Sequence, residues 1–143
     1  MGIAELAVAL HVLEVMRMNE FDSLDCCSAY VAARDALDAA HRAATTWPDG
    51  IATQVRDAAV DAIMLTAEAL GHEAGTAGRR RCLREALSSA IGLAATLDVA
   101  RAMALPDDAA QRLAGRAIAM LGMFLHANAM PSFDDPIELS TRR

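Results

Sequence analysis

Apolar residues recur every three or four positions in long runs along this chain, and short clusters of Asn, Asp, Gly and Pro separate the runs. Such spacing is helical, because 3.6 residues per turn bring positions i, i+3, i+4 and i+7 to one face. Five helices are expected. The first covers about Ile3 to Met18, with Leu6, Leu10, Leu13 and Met16 on one side, and Asn19-Glu20-Phe21-Asp22 breaks it. The second is capped by Asp22 or Ser23, whose short side-chain oxygens can accept an unpaired backbone N–H, and runs to about Ala44. Pro48 pushes Trp47 out of the helical region, and Asp49-Gly50 reads as a turn pair.

The third helix, about Ile51 to Leu70, carries Ile51, Val55, Ala59, Ala62, Thr66 and Ala69 on one stripe. Gly71, Gly75 and Gly78 read as a flexible connection. The fourth, about Arg79 to Met103, places Leu83, Leu87, Ala90, Ala94 and Leu97 in the 4-3-4-3 rhythm of a bundle seam. Leu105-Pro106-Asp107 ends it, and Asp107 or Asp108 can cap the fifth. That helix repeats the rhythm at Leu113, Ala117, Met120, Phe124 and Ala127, with Ala114, Ile118, Leu121 and Leu125 alongside. An arc this wide needs cover on two sides.

Short links between long amphipathic helices make sequential neighbours antiparallel. The expected fold is therefore all-α: an up-down four-helix bundle over residues 21–129, preceded by an additional helix (1–20) and followed by an extended tail (130–143). The first helix has no place in a four-helix core, so its apolar face must be buried on the bundle or on another subunit.

Composition supports a helical reading, with 55% hydrophobic residues, mostly good helix formers, and only 3% aromatic. All thirteen basic residues are Arg, yet the net charge is −6, which opposes non-specific attraction to phosphate backbones. Glu5, Glu14 and Arg17 interrupt the apolar start, which reads as neither a leader nor a membrane span. With an odd number of cysteines, a soluble protein of the reducing cytosol is expected.

Candidate chemistry is sparse. Glu68 and His72 stand i, i+4 on one helix face and could offer two metal ligands. The repeated Glu-x-x-His pairs and extra carboxylates of a di-iron bundle are missing, so a helix-end pair and no metal are expected. His11, His41 and His126 are isolated. Cys26 and Cys27 are adjacent on a helix, about 100° apart, and form no C-x-x-C motif. Neither a phosphate loop nor a nucleophile arrangement is present, and the expectation is a protein without catalytic activity or cofactor.

Two features invite binding. Arg79, Arg80, Arg81 and Arg84 cluster at the start of the fourth helix, where cations face the positive end of the helix dipole. They either meet neighbouring acids such as Glu73 and Glu85 or form a site for an anion, nucleic acid or acidic partner. In the tail, Phe133, Ile137 and Leu139 are more apolar than an idle segment needs, and could dock on a neighbouring subunit or a separate protein.

Thr46-Trp47-Pro48, Gln54-Val55-Arg56-Asp57-Ala58-Ala59-Val60 and Thr66-Ala67-Glu68-Ala69 resemble the pattern of a four-helix bundle family. That family is named for 23S ribosomal RNA intervening sequences, and is similar to the accessory variability proteins of diversity-generating retroelements. Its pattern is an aromatic-Pro pair, then Gln-Leu-Arg-Arg-Ala-Ala and Ile-Ala-Glu-Gly, then a Gly- and Arg-rich turn and a Ser-containing helix. Gly78-Arg79-Arg80-Arg81 and Ser88-Ser89-Ala90 stand where the last two features belong. Asp57 replaces the second Arg and Ala69 the Gly. The resemblance implies a homo-oligomeric scaffold or adaptor, typically a pentamer, with reverse transcriptase and structured RNA as partners in the retroelement branch.

Overall fold

The computed structural model describes residues 2–8, 23–105 and 107–129, with side chains described from residue 28 to residue 128 in the bundle. Helix α1 covers residues 3–8 of the first predicted helix; the rest of that helix lies outside the described residues. Four long helices follow, α2 (Ser23–Ala44), α3 (Asp49–Leu70), α4 (Ala77–Ala102) and α5 (Asp108–Ala129). Each packs on the next and α5 closes back onto α2, with the most extensive contact between α3 and α4. The chain is all-α, and the four long helices pack as a bundle.

Its core divides into two clusters that reveal the helix directions. One gathers Ala40, Ala44 and Trp47 with Ile51, Val55, Leu97, Ala100, Ala110 and Ala114. The end of α2, the start of α3, the end of α4 and the start of α5 therefore share one pole. The opposite pole holds Ala29, Ala69, Cys82, Leu83, Leu121 and Phe124. Met120 packs against both clusters and joins them.

Local chemistry sets the boundaries. Pro48 (φ −54°, ψ 143°) caps α3, and its carbonyl accepts from the Ala52 N–H at 3.0 Å. Asp49 and Gly50 are therefore the first turn of α3 rather than a separate turn, with the Asp49 carboxylate near the positive end of the dipole. Thr76 caps α4: its Oγ1 accepts from the Arg79 N–H at 3.3 Å and donates to the Glu73 carbonyl at 2.7 Å. Gly78 is consequently a helical residue and not part of the connection. Asp107 caps α5, accepting from the Ala110 N–H at 2.7 Å.

The buried stripe of α3 is Ile51, Val55, Ala59, Ala62, Thr66 and Ala69 as expected, joined by Ala52. Thr66 satisfies its buried hydroxyl by donating to the Ala62 carbonyl at 2.6 Å. In α4 the expected Leu83, Ala90 and Leu97 are buried, but Ala86 and Leu93 complete the seam, with Leu87 and Ala94 on its flank. In α5 the buried row is Ala110, Ala114, Ala117, Leu121, Phe124 and Asn128; Leu113 and Met120 are half-buried and Ala127 is exposed. With Leu37 packed against the core from its flank, the fully buried side chains of α2 among the described residues are alanines, at positions 29, 32, 33, 36, 40 and 44. Side chains this small allow helix axes to approach at the close end of their 8–10 Å range.

Unlike the bundle helices, α1 leaves its apolar residues in solvent. Ile3 is 90% exposed, Leu6 52% and Val8 65%. The Gly2 N–H donates to the Glu5 carboxylate at 3.3 Å, the Glu half of a capping box at the start of this helix. No helix among the described residues is long and apolar enough to cross a membrane.

Candidate functional site

The four arginines at the head of α4 do not form one surface. Arg79 turns inward, 3% exposed, with its guanidinium 4.9 Å from the centroid of the Phe124 ring. A cation over an aromatic face is attracted by the ring quadrupole, and here the contact ties α4 to α5. Arg80 is half-buried and donates to the carbonyls of Gly75 and Asn128, the latter at 3.5 Å. Its charge thus meets the negative end of the α5 dipole. Arg81 and Arg84 remain exposed. Phe133, Ile137 and Leu139 lie outside the described residues.

Asn128 completes the junction at this pole. Its side chain accepts from the Gly75 N–H at 3.2 Å and donates to the Phe124 carbonyl at 2.9 Å. One buried amide therefore fastens the α3–α4 connection to the last turns of α5. The remaining histidines are accounted for more simply. His41 accepts from the Arg56 Nε at 3.2 Å across α2 and α3, His126 is exposed, and His11 lies outside the described residues. The side chains of Cys26 and Cys27 also lie outside them.

Glu68 and His72 gain a companion that their spacing alone does not reveal. Cys82 of α4 lies beside them, and ligand atoms of all three fall within 4.8 Å of one another. Cys82 is a free thiol, 1% exposed, whereas His72 is half-buried and Glu68 exposed. Burial pushes the thiol pKa up, and the Glu68 carboxylate, negative and hydrogen-bonded to the sulfur, pushes in the same direction. Glu85 adds to the rise and Arg81 opposes it. The thiol is therefore neutral at physiological pH, which makes it a poor nucleophile.

His72 follows the end of α3, held by its N–H on the Ala69 carbonyl at 3.1 Å. Its ring rests on Gly78: a Cβ there would come within 2.7 Å of Nδ1 and 2.9 Å of Cε1. Gly78 thus gives the imidazole its place against α4, four residues before Cys82 on the same helix. Sequence reasoning missed Cys82, Gly78 and Asn128. The i, i+4 spacing of Gly78 and Cys82 was a usable signal only once α4 was known to begin before Gly78. No family model, curated protein or solved structure matches the chain.

Proposed function

We propose that this protein is a non-enzymatic helical-bundle scaffold or adaptor that assembles with copies of itself through α1. The observation that carries this reading is the exposure of Ile3, Leu6 and Val8 on a helix whose described residues join neither core cluster. Apolar side chains grouped on one short helix favour a protein–protein contact over continued exposure to water. A second copy is the simplest occupant, since closed symmetric homo-oligomers are the commonest assemblies of soluble chains. The resemblance to the intervening-sequence bundle family adds a ring, with five subunits as its expected size, and the tail residues Phe133, Ile137 and Leu139 as a further contact for a protein partner.

Light scattering on the full chain tests this. A mass several times 15.1 kDa that falls toward 15.1 kDa in a Leu6→Asp, Val8→Asp variant is the expected result. A wild-type mass of 15.1 kDa at micromolar concentration overturns it.

The alternative, a nucleic-acid-binding accessory subunit working with a reverse transcriptase or structured RNA, would rest on Arg81 and Arg84. Two exposed cations at the head of α4, on a protein of net charge −6, make a weak phosphate surface unless a ring repeats them. A mobility-shift titration across salt separates the readings, because phosphate contacts give an affinity that falls steeply with salt.

A further inference from the structure

We propose that Glu68, His72 and Cys82 form a zinc site that clips the end of α3 to the start of α4. Three observations meet there. Sulfur, nitrogen and oxygen donors converge from α4, the turn after α3 and α3 itself, within 4.8 Å of one another. The His72 ring lies against Gly78 of α4, one turn before Cys82, where a Cβ would come within 2.7 Å of it. A helical glycine costs stability relative to alanine, and the nearest atoms that a Cβ at position 78 would meet belong to this imidazole. Accessibility is graded, from a buried sulfur through a half-buried imidazole to an exposed carboxylate, so the cation can enter from the Glu68 side and keep a water as its fourth ligand.

Donor chemistry selects the metal. One thiolate, one imidazole and one carboxylate suit a borderline cation such as Zn²⁺, whereas Mg²⁺ and Ca²⁺ require oxygen ligands. Thiolate and carboxylate together carry two negative charges, matching the ion, and the thiol proton leaves to solvent on binding. Arg81 nearby opposes a cation and Glu85 favours it. Tetrahedral zinc with bonds of about 2.0–2.3 Å places its ligand atoms roughly 3.3–3.6 Å apart. The cluster must therefore contract by at most about 1 Å, through side-chain adjustment, for which the exposed Glu68 has the most freedom.

The site is independent of the scaffold reading, because it joins two helices of one chain. Its test is equilibrium dialysis of the full-length, reduced protein against Zn²⁺, with Co²⁺ as a spectroscopic probe and Mg²⁺ as the control. One equivalent of Zn²⁺ per chain is expected. Bound Co²⁺ should display a thiolate charge-transfer band and the intense visible bands of tetrahedral coordination, and Mg²⁺ should not compete. His72→Gln and Cys82→Ser should each weaken binding by about tenfold or more. Gly78→Ala should weaken it too, by displacing the imidazole, in a protein whose helical content is intact. Cys26→Ser with Cys27→Ser should leave the charge-transfer band in place. No bound zinc, or a cobalt spectrum that survives both His72→Gln and Cys82→Ser, overturns the proposal. His72→Gln, on a half-buried side chain, keeps the test decisive should Cys82→Ser fail to fold.

Discussion

Ala104 holds a backbone conformation that alanine resists. Its φ is +61°, in the left-handed region where a Cβ crowds the following carbonyl. The strain is offset by hydrogen bonding. The Leu105 N–H donates to the Ala100 carbonyl at 2.8 Å and the Ala104 N–H to the Arg101 carbonyl at 3.0 Å. These are the two bonds of a Schellman motif, and glycine is the usual residue at this place. Ala104→Gly should therefore stabilise the protein by about 1 kcal/mol, after the entropy glycine adds to the unfolded chain is subtracted. A higher urea midpoint with an unchanged slope would establish it. Cys82 makes a second prediction at this scale, for the metal-free protein. Its thiol pKa is raised in the folded state, so its contribution to stability is complete below the unfolded value of about 8.5 and declines as pH climbs through the folded value. Between pH 7 and pH 10, with chelator present, wild type should lose more stability than Cys82→Ala; equal losses would mean that the native thiol ionises as readily as an unfolded one.

At the scale of the helix, side-chain volume and position must be told apart. Leu97 is 2% exposed and Leu83 fully buried, so either changed to Ala should cost about 2–5 kcal/mol. Leu87, on the flank, should cost distinctly less; equal losses at Leu87 and Leu97 in denaturant titrations would contradict the observed seam. The stripe of α3 was legible in the sequence because its one heptad-like row coincides with Ile51 and Val55, the larger side chains. In α4 and α5 the core row passes through Ala86, Ala110 and Ala114, while Leu87 and Leu113 lie beside it. A pattern that weighs residues by hydrophobicity drifts toward the leucines, by one position in each case. The start of α4 was obscured differently. Gly78 has the composition of a loop, and only the Thr76 cap and the fit of His72 explain its place in a helix.

For the molecule as a whole, the two core clusters are joined by all four long helices, which run through both, and by Met120 between them. Unfolding should therefore be a single transition. The sole tryptophan, Trp47, reports on one pole, and far-UV circular dichroism reports on every helix. The two signals should share one midpoint in urea, and an earlier change in Trp47 fluorescence would mean that its pole melts alone. The bundle was readable in advance because periodicity and link length are local properties. The meeting of Cys82 with Glu68 and His72 was not, because it depends on the rotation of α4 about its own axis, which the misplaced start left unspecified.

The buried alanine row described in α2 has an outcome for how this chain can vary. At Ala29, Ala33, Ala36 and Ala40 the methyl group is already the smallest side chain that keeps a helix firm. Glycine would loosen it by about 1 kcal/mol per position. Anything larger would force α3 and α5 apart, at a typical cost of about 1–3 kcal/mol. A leucine in α4 has isoleucine and methionine as near equivalents; a buried alanine in α2 has none. The helix whose described core residues are the smallest is thereby the one with the narrowest choice of residues. In a library of random substitutions its inner stripe would be the first to fall silent, while its outer positions, such as Arg34, Asp38 and Arg42, would drift freely.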